Sequence, residues 1–137
     1  MRLLIDANIL LDVLQEREPH VHNSSLIWKM CETGSTEGYI SSLTVANLIY
    51  VMRKELIPEK VEKILRLLKL IFHLTDLTVS DITRAAEMKW TDFEDAIQST
   101  VAERIHANYI ITRNTRDFSR SQIIALTPME YLASHMY

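Results

Sequence analysis

The chain has 137 residues, 47% of them hydrophobic, which suits one domain around one core and requires no second domain. Its formal net charge of −3 argues against a general polyanion binder, so any contact with nucleic acid must be local or bridged by cations. A single cysteine, Cys31, excludes an internal disulfide, and two glycines with three prolines leave little material for flexible linkers.

The longest apolar stretch, residues 64–74, contains Arg66 and Lys69 and is too short and too charged to cross a bilayer. Asp6 and Asp12 interrupt the apolar N-terminus, so no secretory leader is expected. The expected setting is cytoplasmic and reducing, with Cys31 a small packing residue in a helix.

In chain order, Leu3, Leu4 and Ile5 form a strand-length apolar run closed by Asp6-Ala7-Asn8. Ile9, Leu10, Val13 and Leu14 then recur at helical spacing until Glu18-Pro19 breaks the pattern. A second helix is expected over 20–32, with Leu26, Ile27, Met30 and Cys31 on one stripe and Gly34 closing it. Tyr39 and Ile40 read as a strand ending at Ser41-Ser42. From Thr44, the residues Val45, Leu48, Ile49 and Met52 predict a third helix that ends before Pro58.

The clearest amphipathic pattern follows, with Val61, Ile64, Leu65, Leu68, Ile71 and Phe72 on one face and Glu62, Lys63, Arg66 and Lys69 elsewhere on the wheel. A short strand falls within 72–77 and a helix over 81–89. Another helix starts near Asp92 and carries Ala96, Ile97, Val101 and Ile105. Tyr109, Ile110 and Ile111 form a strand closed by Thr112-Arg113-Asn114, with Asp117 just behind. A last strand over 123–126 precedes a terminal helix whose first turn holds Pro128. Strands alternating with helices on this scale predict an α/β domain with a mainly parallel sheet covered on both faces.

Ligands of such sheets bind beyond the carboxyl ends of the strands, and three acids fall there: Asp6, Asp95 and Asp117. Each also has a plain structural reading. Asp6 can cap a helix, Asp92 and Asp95 can cap theirs reciprocally, and Asp117 can serve the turn at 114–117. Glu94 projects about 100° away from Asp95 on the wheel and is not expected to share its ligand. Three carboxylates at one rim would raise each other's pKa, and a hard cation would remove that repulsion. Oxygen donors without a His or Cys pair favour Mg²⁺ or Mn²⁺ over Zn²⁺, and two such ions about 4 Å apart support phosphodiester hydrolysis. The five histidines have no zinc spacing, and Gly34 and Gly38 make no phosphate loop. Trp28 and Trp90 read first as packing residues, with base stacking open to whichever is exposed.

At these residues the chain resembles the PIN-domain ribonucleases, and within them the VapC-like toxins and their relatives. Residues 4–8 (Leu-Ile-Asp-Ala-Asn) look like the family's opening strand and first acid, residues 92–96 (Asp-Phe-Glu-Asp-Ala) like its central motif, and residues 111–118 like its last. The resemblance implies a three-layer α/β/α sandwich and metal ligation by Asp6, Asp95 and Asp117. It makes Asn8 and Thr112 polar supports and Asn114 a further participant. Many members carry Glu in the helix after the second strand, where this chain has Asn47. Asn coordinates through its carbonyl but brings no charge, and Glu94 or Asp92 could compensate. RNA as substrate, a homodimer and a cognate antitoxin are implied as well.

The first functional expectation is therefore a Mg²⁺- or Mn²⁺-dependent endoribonuclease, with Arg113 or Arg116 gripping a phosphate unless they are ordinary surface charges. A haloacid-dehalogenase-type phosphatase needs a second Asp where Asn8 stands. A scaffold weakened by Asn47 and acting as an RNA- or protein-binding module is the non-enzymatic alternative. The second and third helices, with Trp28, Leu48, Ile49, Tyr50 and Met52, are expected either to complete the core or to leave a groove for a partner.

Overall fold

In the computed structural model, which describes residues 1–135, five strands form one sheet in the order β3-β2-β1-β4-β5, every neighbouring pair parallel. The strands are β1 (Arg2–Ile5), β2 (Glu37–Ser41), β3 (His73–Thr75), β4 (Tyr109–Ile111) and β5 (Ile124–Leu126). Between and after them run α1 (Ala7–Leu14), α2 (Val21–Thr33), α3 (Ser42–Val51), α4 (Pro58–Ile71), α5 (Val79–Met88), α6 (Phe93–Arg104) and α7 (Pro128–His135), with a 3₁₀ turn at Thr115–Phe118.

Side chains leave a strand on alternate faces, and β1 shows what this does in a sheet covered twice. Leu3 and Ile5 pack with Ile9, Ile27, Leu48, Leu68 and Tyr131, drawn from α1, α2, α3, α4 and α7. Leu4 packs on the other face with Ala85 of α5, Ala96, Ile97 and Val101 of α6, and Phe118. Leu3, Leu4 and Ile5 are completely buried, which is why the strand reads as an unbroken apolar run. The layers are helix, sheet, helix: the three-layer α/β/α sandwich that the alternation and the resemblance imply.

From β1 the chain steps outward through β2 to β3, then returns across β1 to build β4 and β5 on its other side. The direction of winding therefore reverses between β1 and β4, which opens a crevice at their carboxyl ends. The Asp6 amide donates to the Ile111 carbonyl at 3.0 Å and holds the two strand exits together there.

One helix boundary and one buried stripe differ from expectation. Helix α5 begins at Val79 because Thr78 and Asp81 form a capping box, which makes Asp81 the third helical residue instead of the first. Helix α4 has the strongest amphipathic pattern in the chain, yet Leu68 is its only fully buried residue, with Ile64 and Ile71 packed partly against the core. Leu65, assigned to the buried stripe, is 37% exposed, and Leu70 is 83% exposed. This helix adjoins β3, a strand at the edge of the sheet, where there is less sheet to cover.

Two ion pairs lock helices around the crevice. Arg104 of α6 grips Asp81 of α5 through Nε at 3.0 Å and Nη2 at 2.9 Å. Asp12 of α1, completely buried, accepts from Ser24 Oγ of α2 at 2.9 Å and from Arg113 Nε at 3.0 Å. Its other oxygen, Oδ1, has no hydrogen-bond partner among the described residues.

The close approach of α2 to β2 depends on Gly38. A Cβ there would lie 2.6 Å from Cys31 Sγ and 2.8 Å from a ring carbon of Phe72. Burial pushes the Cys31 thiol up to about 12, so it acts as a packing group and not as a nucleophile. Gly38→Ala should therefore destabilise the fold by about 1–3 kcal/mol through overpacking, lowering the urea midpoint at constant m. An unchanged midpoint would contradict the tight α2–β2 contact.

Candidate metal centre

Asp6 leaves β1 directly at the crevice and caps α1, with Oδ1 accepting from the Ala7 amide at 2.9 Å. Its Oδ2 accepts from the Thr112 hydroxyl at 2.8 Å and, more weakly, from Asn8 Nδ2 at 3.4 Å. Thr112, completely buried at the exit of β4, also accepts from the Asn114 amide at 3.1 Å. Asn8 Oδ1 in turn accepts from the Arg113 amide at 3.3 Å. Asn8 and Thr112 thus tie both strand exits to one carboxylate. Burial raises the Asp6 pKa most strongly; hydrogen bonds from Thr112, Ala7 and Gln98 oppose the rise, and the Asp117 charge adds to it.

Asp95 sits in the first turn of α6. Asp92 caps that helix, its Oδ1 accepting from the Asp95 amide at 3.1 Å. The reciprocal bond expected of this pair is not formed, since no bond returns from the Asp95 carboxylate to the cap, and that carboxylate is left free for the crevice. Burial pushes the Asp95 carboxyl up to about 7, with further upward pressure from the charges of Asp92, Asp6, Asp117 and Glu94. Glu94 therefore belongs to the cluster's field, although its place on the wheel set it apart. It accepts from Asn47 Nδ2 at 3.1 Å, which bridges α3 and α6. Asp117 is exposed on the 3₁₀ turn, its amide donating to the Asn114 carbonyl at 3.0 Å.

Among the described residues, no three His, Cys, Asp or Glu side chains stand close enough to hold one ion. The charges of Asp92, Asp6, Asp117 and Glu94 nevertheless all act on Asp95. Exposed carboxylates swing by rotation about χ angles, whereas the backbone positions that gather them are fixed by the sheet. An all-oxygen, strongly anionic donor set fits a hard divalent cation.

One residue of this region, on α6, went unnoticed in the sequence. Gln98, 5% exposed on α6, donates to Thr44 Oγ1 at 2.7 Å and accepts from Ser41 Oγ at 2.8 Å. It joins the β2 exit to the helix that bears Asp95. The available clues were its position three residues after Asp95 and the place of Ser41 at a strand end. Arg113 is half-buried, and its Nε donates to buried Asp12 at 3.0 Å. Arg116 remains exposed beside Asp117.

The raised Asp95 pKa has a stability consequence. For a carboxyl whose pKa rises from 3.8 unfolded to about 7 folded, the associated stability is fully present below 3.8 and is lost as pH rises through about 7. The metal-free protein should therefore melt at a lower temperature near about pH 8 than near about pH 5, and Asp95→Asn should flatten that slope. Asp6 shifts in the same direction, so the flattening is partial. Melts in chelator that give the same slope for variant and wild type would remove Asp95 from the coupled cluster.

The family model described as the PIN domain matches residues 2–116. A search of curated protein sequences finds no match. Among solved structures, the toxin–antitoxin complex from Klebsiella pneumoniae aligns with TM-score 0.69 at 22% identity, covering 92% of this chain and 97% of that one. VapBC2 from Rickettsia felis, bound to a DNA fragment from its promoter, aligns with TM-score 0.66 at 18% identity over 93% and 98% of the two chains. Mycobacterium tuberculosis VapC20, a toxin that cleaves the Sarcin-Ricin loop, aligns with TM-score 0.62 at 10% identity over 79% and 86%. At these identities the structural likeness speaks for the fold, and the family match spans the β1 exit that carries Asp6 and the start of α6 that carries Asp95. The chain belongs to the PIN-domain family.

Proposed function

We propose that this protein is a Mg²⁺- or Mn²⁺-dependent endoribonuclease and the toxin of a toxin–antitoxin pair. The observation that supports the reading is the placing of Asp6 at the β1–β4 reversal together with Asp95 of α6, whose carboxyl is raised to about 7 by burial and by the charges of Asp92, Asp6, Asp117 and Glu94. Such a site binds a cation in place of a proton. Asp6, Asp95 and Asp117 would hold the metal, and Glu94, kept in place by Asn47, supplies the charge that Asn47 lacks. When bound, the metal supplies Lewis acidity that lowers the pKa of an attacking water and neutralises the scissile phosphate.

The chain's own residues do the rest. Thr112 and Asn8 fix the rotamer of Asp6, so that one carboxylate oxygen keeps its direction while the charge around it changes. Gln98, Ser41 and Thr44 brace α6 against β2 and hold Asp95 over the crevice. Asp92 satisfies the helix terminus and thereby frees Asp95 from capping.

Partner binding has its own support. Tyr50, Val51, Ile57 and Leu70, on and around α3 and α4, are between 46% and 83% exposed, while Leu48 and Met52 from the expected groove are core residues. Trp28 is half-buried, edge-on to Phe72 at 5.1 Å. This apolar band would take an antitoxin segment or the mate of a homodimer. None of the helices among the described residues is long and apolar enough to cross a membrane. The competing reading, a metal-free RNA- or protein-binding scaffold, is favoured by the uncharged Asn47.

Asp6→Asn and Asp95→Asn should each abolish Mn²⁺-dependent RNA cleavage while the far-UV spectrum stays unchanged. Full activity in either purified variant would refute its assigned role. Asn47→Glu places a second carboxylate beside Glu94, so it should lower the melting temperature without metal and enlarge the upward shift on adding Mn²⁺. A smaller shift than in wild type would count against Asn47 as the position of the family's usual Glu. For the partner surface, sedimentation at micromolar concentration should show a dimer that Leu70→Glu weakens; a strict monomer in wild type would dispose of the homodimer.

A further inference from the structure

Beside the acidic cluster lies a cleft of about 420 Å³ whose walls include Trp90, Asp92, Arg116, Asp117 and Arg120. Asp92 and Asp117 belong to the candidate metal centre, Trp90, Arg116 and Arg120 are aromatic or cationic, and Thr91 and Ser119 complete the lining. Arg116 and Arg120 are exposed, and neither makes a salt bridge among the described residues although Asp117 lies between them in sequence. The Trp90 ring is held from below by an edge contact with buried Phe118, at 6.3 Å between centroids and 75° between planes. The Arg120 guanidinium stands over the same ring, 5.6 Å from its centroid.

In a chain with a net charge of −3, unpaired arginines next to a fixed aromatic ring and an anionic site have a specific chemical meaning. Single-stranded nucleic acid offers alternating phosphates and flat bases, and proteins grip it with cations that follow the backbone and with aromatic or guanidinium planes on which bases stack. The geometry points to this cleft as the subsite that holds the RNA strand next to the scissile phosphate. Arg116 and Arg120 contact backbone phosphates there, and an unstacked base lies on the Trp90–Arg120 platform. The inference rests on the ribonuclease reading for its choice of RNA, but binding tests it separately from cleavage.

Arg113, the other arginine after β4, already donates its Nε to buried Asp12 and does not line this cleft. The cleft therefore assigns phosphate contact to Arg116 and Arg120, which flank Asp117 in sequence. It also gives Trp90 a positioning role, since the platform fixes where the strand leaves the metal centre.

The test is fluorescence anisotropy of the full chain with a short labelled oligouridylate in chelator, across a salt series. Arg116→Ala and Arg120→Ala should each reduce the slope of log K against log salt by about 0.7, the value for one single-strand phosphate contact. Trp90→Ala should weaken binding about fivefold to hundredfold with the slope unchanged, and Trp90→Phe should restore most of the loss even if the alanine variant folds poorly. Lys63→Ala, on exposed α4, serves as a charge-matched control and should change neither quantity. Unchanged slopes for both arginine variants, or no RNA binding by wild type, would overturn the subsite. Cleavage with Mn²⁺, followed in parallel, separates the two ideas. A wild type that cleaves while the variants keep its KM and slope retains the nuclease and loses the subsite. Arginine-dependent binding without any cleavage does the reverse.

Discussion

The Asp6 carboxylate is pinned between the exits of β1 and β4, and the rest of the site depends on that junction. Its amide closes a hydrogen bond to the Ile111 carbonyl, one oxygen caps α1, and the other accepts from Thr112. The two bonds to the carboxylate offset part of the cost of burying it, but burial outweighs them and the pKa stays raised. The chain reverses its direction of winding between these two strands, so the crevice exists only because β4 lies beside β1 and not beyond β3.

Around that junction the protein separates two kinds of polar residue. The neutral ones, Ser41, Thr44, Gln98 and Thr112, are buried and bonded to one another or to backbone, which makes the crevice floor rigid at modest desolvation cost. The charged ones, Asp92, Glu94, Asp95 and Asp117, stay at the rim, where water and ions reach them. Asp81 and Asp12 are the buried exceptions, and each has an arginine. Burial pushes the Asp81 carboxyl up, but the Arg104 hydrogen bonds and the Thr78 cap outweigh it and hold the group below the usual range. The Asp81–Arg104 pair clamps α5 to α6, the helix that bears Asp95, while Asp12 ties α1 to the exit of β4 through Arg113 and to α2 through Ser24.

Charge balance then assigns the arginines different tasks. Arg104 and Arg113 neutralise buried acids, Arg84 pairs with Glu103, and Arg116 and Arg120 are left facing solvent beside the rim. A negative chain can thus present a cationic edge at one place, next to the acids, without a general basic surface. Neither net charge nor composition contains this arrangement, because it depends on which acids the fold buries.

Strand runs, helical stripes and the three acidic motifs were legible in the residues alone, because each is a local pattern of period two, period 3.6 or fixed spacing. The alternation of elements was enough for the parallel three-layer architecture, and Asp6, Asp95 and Asp117 could be placed at strand exits and a helix start. Side-chain pairing across the sheet was not legible. That Arg113 answers Asp12 across 101 positions, that Asn47 meets Glu94 across 47, and that Gln98 braces Ser41 across 57 are consequences of packing. The same holds for α4, whose stripe predicts burial that an edge position in the sheet does not provide. Local sequence determined which residues could form each element and which groups could carry charge. Only the tertiary structure decided which charges are neutralised, since a carboxylate's partner is chosen by distance in space and by burial, and neither is a property of position along the chain.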